Sequence, residues 1–248
     1  LLGRLYGVHQ DSLDVVPHGV PMLPLVAPDS VKPRLGMETA PMILSFGLLG
    51  PGKGYESVIE AMPTVVKVCP DAYYVILGAT HPELLRHEGE AYRSKLTLLA
   101  QKLGVANHVI FVDRFVTRTE LGTWLTAADI FVTPYPNMDQ IVSGTLAYAM
   151  SAGKACVSTR YAYAVEMLEA GRGRLVESIA SSALAESLTE LIRDVNLRNQ
   201  LGRRAYEFSR TMIWPEVGAR YRKIFDRVCG GEAVSADAVQ VGAGVVGS

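Results

Sequence analysis

Six short apolar segments alternate with helix-length segments along the middle of the chain, and this alternation restricts the possible folds more than any other feature. Each apolar segment is a continuous hydrophobic run, which is typical of strands that are covered by helices on both faces. Strands that are separated by helices predict a parallel sheet with right-handed crossovers. The predicted strands are residues 42–47, 73–78, 108–112, 130–133, 155–159 and 173–176, and residues 83–103 are predicted to form one long helix between the second and third strands. The sequence therefore predicts an α/β fold.

Six strands of this kind fit the doubly wound, Rossmann-like order 3-2-1-4-5-6. In that order the first and fourth strands are neighbours, although they are far apart in the chain. The loops that follow these two strands turn to opposite faces of the sheet and leave a crevice between them. These loops are residues 47–54 and 134–145. We therefore expect the two loops to lie close together.

Both loops carry residues that suit a phosphate group. Small residues at a helix start leave backbone N–H groups at the positive end of the helix dipole, which favours an anion. The first loop adds a cation, Lys53, for which a phosphate contact is favoured over a solvated position at a helix start. The candidate residues are Gly47, Gly52, Lys53 and Gly54 in the first loop and Ser143, Gly144 and Thr145 in the second. Together they suggest a nucleotide site.

Composition excludes several other classes of protein. The chain has 248 residues, 49% of them hydrophobic, so it can bury a substantial core as one large or two small domains. Its net charge of −1 argues against a protein that binds duplex nucleic acid. Three widely spaced cysteines indicate a reducing compartment and no zinc site. No run of about 18 apolar residues predicts a transmembrane helix. We expect a cytoplasmic protein.

The two flanks of the chain differ from its middle. Residues 1–33 are proline-rich, with one predicted strand at 13–16, and His18 in the following Pro-His-Gly is interpreted as a turn residue. Residues 181–210 are predicted to be helical, and Trp214-Pro215 breaks this region before a last amphipathic helix at 216–228. The small residues of 230–248 show no helical or strand period and predict a disordered tail.

Four segments of the chain also carry a family resemblance. In order, they are FGLLGPGKGYESVIEAM, PDAYYVILGATHPE, VIFVDRFVTRTELGTWLTAADIFVTPY and SGTLAYAMSAGKACVST. They resemble the nucleotide-sugar-binding, C-terminal half of a GT-B glycosyltransferase, in the large retaining group typified by sucrose synthases and bacterial mannosyl- and glucosyltransferases (family 4, glycosyl transferases group 1). Four pieces in the correct order and spacing make a chance match improbable, and the resemblance covers roughly residues 12–228.

The resemblance implies a two-domain enzyme whose acceptor-binding N-terminal half is almost wholly absent here. It implies an interdomain connector at 1–33, a nucleotide-sugar-binding domain at 34–212 and a crossover helix at 213–229, ahead of the tail at 230–248. The chain does not begin with Met, which suggests a fragment. Peripheral membrane association through the missing half is an open alternative to a purely cytoplasmic protein.

The implied reaction is transfer of a sugar from a nucleoside diphosphate sugar to a glycan, lipid or small-molecule acceptor, with retention. No cofactor or bound metal is expected, because lysine and helix dipoles stabilise the leaving diphosphate in this family. The fragment alone is expected to bind nucleotide weakly and to turn nothing over. Two other functions stay open: a non-catalytic, sugar-nucleotide-binding partner subunit, and a GT-B-fold sugar-nucleotide epimerase.

Lys53 matches the family lysine that touches the donor's diphosphate, but its usual arginine partner is missing. Leu48 stands where the family usually has that arginine. Arg114, which follows a strand end where family members approach the base, is a candidate to compensate for it. The alternative for Arg114 is a surface ion pair with Asp113.

The Glu-x7-Glu signature of the family is lost. The alignment places Gln140 at the first glutamate, which lies near the reacting sugar, and Tyr148 at the second, which holds the ribose hydroxyls. Gln140 and the adjacent Asp139 are candidates to contact the sugar, and the Tyr148 phenol is a candidate for the ribose. The alternatives are a turn or helix-cap role for Asp139 and helix-to-sheet packing for Tyr148. Because the phosphate loops are intact, a divergent donor site is favoured over a protein that has lost catalysis.

Overall fold

The computed structural model describes residues 6, 7, 9, 13–37, 39–177 and 179–229, and these fall into two compact units. The larger unit is His18–Ile213 and contains the whole sheet. The smaller unit comprises the described residues among 1–17 and 214–248. The predicted tail at 230–248 lies outside the described residues. The sheet unit begins at His18 instead of residue 34, and the connector role of residues 1–33 stays a prediction.

The sheet has six parallel strands in the order β3-β2-β1-β4-β5-β6, which confirms the predicted doubly wound α/β fold. The pairing of β1 with β4 aligns Ile43 with Ile130 and places the loops after these two strands side by side. The strands are β1 Met42–Phe46, β2 Tyr73–Leu77, β3 Val109–Val112, β4 Ile130–Thr133, β5 Ala155–Thr159 and β6 Arg174–Val176.

Helices cover both faces of the sheet. In the sheet unit they are α1 Tyr55–Val68, α2 Pro82–Glu88, α3 Ala91–Lys102, α4 Arg118–Ala127, α5 Gly144–Ser151, α6 Ala162–Leu168, α7 Ser181–Arg193 and α8 Val195–Ser209. Short 3-10 helices occur at Pro28–Ser30, Lys32–Leu35, Ala106–His108 and Arg210–Met212. In the smaller unit, α9 is Trp214–Val228, and its Arg227 pairs with Asp14.

Two predicted elements differ from the structure. The single helix expected at 83–103 is two helices, because Gly89 adopts a left-handed φ of +59° and ends α2. The strand expected at 13–16 is absent from the described residues, where this segment forms no ladder with another strand. Val15 there is 84% exposed, so the segment lacks the burial that stabilises a strand.

Successive residues of each strand pack into two separate hydrophobic clusters, one on each face of the sheet. In β1, Ile43 points to the face covered by α1, α3 and α7, whereas Met42 and Leu44 point to the face covered by α4, α5 and α6. All three side chains are fully buried. The sheet is therefore a rigid, doubly covered platform, and its loops at the carboxyl ends of the strands are held in fixed positions.

A buried ion pair fastens the opposite, amino-terminal edge of the sheet. Lys32 is only 1% exposed, and its Nζ lies 2.7 Å from Oδ2 of Asp129, the residue before β4. The same carboxylate accepts the N–H of Met42 at the start of β1 (2.9 Å), and Arg198 lies 3.4 Å from its other oxygen. Buried charges are tolerated when they are paired in this way. This edge of the sheet is thus held together by internal pairing.

Candidate functional site

The two glycine-containing loops meet above the carboxyl ends of β1 and β4, as the strand order predicts. A Cβ added to Gly54 would lie 2.0 Å from the carbonyl oxygen of Pro134, so the two backbones are in direct contact. Gly47, which follows β1 with a φ of +136°, lies against Thr145: a Cβ there would be 3.7 Å from its methyl group. Only glycine allows both the contact at residue 54 and these backbone angles.

Lys53 lies beside the second loop. Its Nζ is 4.6 Å from the ring centroid of Tyr135, a cation–π contact, and the Tyr135 hydroxyl is hydrogen-bonded to Thr145 Oγ1 at 2.8 Å. Within the described part of the chain, Lys53 has no acidic partner at ion-pair distance. Its positive charge is therefore positioned next to the start of α5 and is not neutralised by a carboxylate of the described residues.

The start of α5 presents unused backbone donors. Ser143 is only 4% exposed, and its hydroxyl accepts the N–H of Leu146 (3.3 Å), which caps the helix. The N–H groups of Gly144 and Thr145 form no hydrogen bond with other described residues. Such first-turn donors, together with the helix dipole, favour a negatively charged group. Lys53 and the first turn of α5 together form what we call the loop corner, and this corner can hold a phosphate.

Asp139 and Gln140 lie in the loop between β4 and α5, and this loop packs against the start of α6. The loop's carbonyl oxygens at Met138 and Gln140 accept the N–H groups of Ala162 and Tyr163 at 2.9 and 3.1 Å, in the first turn of α6. These bonds fix the loop backbone. They also occupy two N–H groups in the first turn of α6, which are therefore not available to an anion.

The side chains of these two residues differ in their local bonds. Gln140 donates from Nε2 to the carbonyl oxygen of Val142 at 2.9 Å. The Asp139 side chain is exposed, and its backbone N–H donates to Oδ1 of Asn137 at 3.1 Å, so Asn137 provides the turn contact. Asp139 therefore keeps its carboxylate toward solvent, while the Gln140 amide is partly used within the loop.

Tyr148 packs between α5 and the sheet. Its ring lies 6.4 Å from the ring of Phe46 at the end of β1 and 6.0 Å from that of His18, centroid to centroid. This geometry agrees with the helix-to-sheet packing interpretation of Tyr148. It also places the ring next to the site, one turn into the helix whose first turn offers the free N–H groups.

Arg114 is not brought into this group. It follows β3, which is separated from β1 by β2, and its Nη2 lies 2.9 Å from Oε1 of Glu120 in α4. The alternative, an ion pair with Asp113, is also not what the structure shows: Asp113 pairs with Arg93. Arg114 therefore forms an ion pair with the first turn of α4 and lies on the β3 side of the sheet, away from β1 and β4.

The pairing with Arg114 holds the pKa of Glu120 at about 2, with a further contribution from the Thr117 backbone N–H. Because the pKa of this carboxyl is lower in the folded state than its ordinary value, the ionised group stabilises the fold at any pH above that ordinary value. This stabilisation is lost as the pH falls towards 2. We expect Arg114→Ala to raise the Glu120 pKa measurably in a carboxyl NMR titration. Arg118→Ala, an exposed arginine on the same helix, is the matched control and should leave it unchanged.

The same variant tests whether Arg114 takes part in the site. Because Arg114 lies away from the loop corner, we expect Arg114→Ala to change nucleotide affinity by less than about twofold, within the usual effect of a surface substitution. A tenfold loss of affinity would contradict this placement and favour a direct contact with the donor.

Sequence reasoning missed two tyrosines that support the site. Tyr135 stacks on Tyr161, with ring centroids 5.3 Å apart, and its carbonyl oxygen accepts the hydroxyl of Thr159 at 2.6 Å. Burial raises the pKa of Tyr161 to about 12, so this phenol stays neutral near pH 7. The available signal was the position of Tyr135 directly after a strand, between two prolines. The ring of Tyr135 lies under Lys53 and is supported from below by the stacked ring of Tyr161.

Among the described residues, no group of three or more His, Cys, Asp or Glu side chains is arranged to hold a metal ion. No helix in that part of the chain is long and apolar enough to cross a membrane. Metal-independent chemistry stays a prediction.

The fold and the meeting of the two loops define a doubly wound α/β domain, and comparison with known proteins identifies its family. The family model for glycosyl transferases group 1 matches residues 29–208. This chain belongs to that family, and its sheet matches the GT-B glycosyltransferase fold.

Individual relatives agree with this assignment. The D-inositol 3-phosphate glycosyltransferase of Xylanimonas cellulosilytica is 28% identical over 240 residues, which cover 90% of this chain and 53% of that protein. A GDP-mannose-dependent monoacylated alpha-(1-6)-phosphatidylinositol monomannoside mannosyltransferase of Corynebacterium glutamicum is 30% identical over 179 residues, or 70% of this chain and 44% of that protein. The crystal structure of Anabaena HepE in complex with UDP-glucose has a TM-score of 0.69 at 19% identity and covers 82% of this chain and 52% of that one. The chain thus spans about half the length of these relatives.

Proposed function

We propose that this chain is the donor-binding half of a glycosyltransferase that transfers a sugar from a nucleoside diphosphate sugar to an acceptor, with retention. The observation that carries the proposal is that Lys53 contacts Tyr135, whose hydroxyl is hydrogen-bonded to Thr145 in the first turn of α5. The N–H groups of Gly144 and Thr145 in that turn form no hydrogen bond with other described residues. The names of two relatives add support, since one is described as GDP-mannose-dependent and another was solved with UDP-glucose. Both ligands carry a diphosphate.

The proposed chemistry depends on stabilisation of the leaving diphosphate. As the bond between the sugar and the diphosphate breaks, negative charge develops on the departing oxygen. Lys53 and the N–H groups of α5 are fixed donors for that charge, and fixed donors need no reorganisation during the reaction. Asp139 and Gln140 would orient the sugar from the adjoining loop. We propose that no bound metal is needed.

Acceptor binding would be supplied by the other half that the relatives' length implies. We propose that the present chain alone binds nucleotide weakly and catalyses no transfer. Whether the acceptor is a glycan, a lipid or a small molecule depends on residues outside this chain, as does any peripheral contact with a membrane.

A second candidate is a non-catalytic subunit that binds a sugar nucleotide. The observation that favours it concerns the two positions where the family has glutamates. Tyr148 is packed against Phe46, and the Gln140 amide is bonded to Val142 in its own loop. Neither supplies a carboxylate to the donor. The two candidates share the diphosphate site and differ only in turnover.

Calorimetric titration of the chain with UDP and with GDP tests the shared site. We expect saturable binding of at least one of them, with the same affinity in the presence of EDTA, because Lys53 and α5 supply the positive charge. No heat at millimolar concentrations of either nucleotide would contradict the proposed donor site. A loss of binding in EDTA would contradict its independence of metal.

Turnover separates the two candidates. The protein extended to the length of its relatives should release nucleoside diphosphate from a sugar nucleotide when acceptor is present. Binding without any release of nucleoside diphosphate would favour the partner subunit instead.

A further inference from the structure

His18 lies beside the first turn of α5, in the segment that leads into the sheet unit. The backbone next to it is held firmly: Val20 is fully buried, donates its N–H to the Met212 carbonyl oxygen at 2.9 Å and forms a parallel bridge with Ile213. His18 itself is half-buried. Its position relative to the sheet is therefore defined by backbone contacts on the same unit.

The imidazole ring has a defined orientation. Nδ1 lies 2.8 Å from the carbonyl oxygen of Gly19, and because a carbonyl oxygen can only accept, Nδ1 carries the proton. Nε2 faces Gly144, where an added Cβ would lie only 2.9 Å from this nitrogen. Tyr148 meets the ring edge on, with an interplanar angle of 72°. The ring is thus held against α5 with its Nε2 edge at the first turn.

We propose that Nε2 of His18 contacts the diphosphate of the donor and acts there as a second cationic group beside Lys53. The assignment rests on the proposed function. A second cation is otherwise missing from the Lys53 loop, because Leu48 in the same loop is uncharged. Arg114 does not supply it, since its charge is paired with Glu120 at the start of α4. The absence of a side chain at Gly144 is what allows the close approach of the ring.

The chemistry of the contact follows from the ring's bonds. Nδ1 is committed to Gly19, so an Nε2 that meets a phosphate oxygen must also carry a proton, and the bound ring is an imidazolium. Hydrogen bonds between two ionised groups are stronger than neutral ones. His18 is therefore a binding residue for the diphosphate and does not discriminate between nucleotide bases.

The test compares His18→Asn with the unsubstituted chain. Asparagine can retain a donor toward the Gly19 carbonyl but does not reach the Nε2 position. We expect the Kd for UDP or GDP, whichever binds, to rise about tenfold, since a hydrogen bond to a charged group is worth roughly 1.5–3 kcal/mol. His87→Asn, an exposed histidine on α2, is the matched control and should leave Kd unchanged. Thermal unfolding without ligand shows whether the substitution disturbs the fold.

A direct readout accompanies the affinity. The Nε2 resonance of His18 in nitrogen NMR should move toward the imidazolium value when nucleotide is added. An affinity within twofold of the unsubstituted chain overturns the assignment. Weaker binding with an unmoved Nε2 resonance also overturns it, because the effect is then structural. If the unsubstituted chain binds neither nucleotide, the proposed function fails and this assignment fails with it.

Discussion

Replacing Lys53 by alanine is expected to weaken nucleotide diphosphate binding by about 10- to 100-fold, the range of one hydrogen bond to a charged group and its attendant charge. The lysine Nζ lies over Tyr135, whose hydroxyl is bonded to Thr145 at the start of α5, and no carboxylate of the described residues neutralises it. Its charge is therefore available to a ligand. Isothermal titration with UDP and GDP measures the change.

The control for this variant is Lys102→Ala, which removes an exposed lysine from the last turn of α3. It changes the net charge equally but lies outside the loop corner. The two variants should have similar unfolding free energies, because Lys53 forms no ion pair with the described residues whose loss would destabilise the fold. Equal nucleotide affinity in both variants would remove Lys53 from the donor site.

Gly54→Ala is expected to destabilise the fold by about 3–5 kcal/mol, the range of substitutions that combine steric overlap with backbone strain. The added Cβ would lie 2.0 Å from the Pro134 carbonyl oxygen, and the φ of residue 54 is +73°. The two loops would have to separate, so nucleotide binding should be lost as well. Denaturant unfolding measures the stability, and titration measures the binding.

Gly52→Ala provides the matched comparison for this effect. Residue 52 also has a positive φ, +87°, but an added Cβ would meet no atom within 4 Å. It should therefore cost only the backbone strain, about 1–2 kcal/mol. If the two alanine variants are equally stable, the contact between the loops is not what makes Gly54 necessary.

The sheet order was predictable because it depends on patterns that are local in the sequence. Continuous apolar runs identify the strands, and the rule for parallel crossovers then restricts their order. The meeting of the Lys53 loop with the start of α5 follows directly from that order. The division of the helix at 83–103 was also signalled, by Gly89, but the helical pattern on either side concealed it.

Side-chain partners were less predictable, because they depend on residues that are distant in the sequence. Nothing near Arg114 indicates that Glu120 binds it in preference to Asp113. Lys32 lies in the segment interpreted as a connector, yet it is buried through Asp129, which lies far along the chain. The position of Tyr148 at a family glutamate suggested a ligand contact. Its packing against Phe46 was not predictable, because the two residues come together only when the sheet is folded.

The pairing of β1 with β4 has a consequence for the kinetics of folding. Ser45 in β1 donates its hydroxyl to the carbonyl oxygen of Val132 in β4, a contact between residues 87 positions apart. Contacts of such large sequence separation carry a high loop-closure cost, so they tend to form late. Because the ligand corner exists only after this pairing, a bound nucleotide would stabilise the native state more than the folding transition state. Ligand binding would then slow unfolding and leave the rate of refolding nearly unchanged.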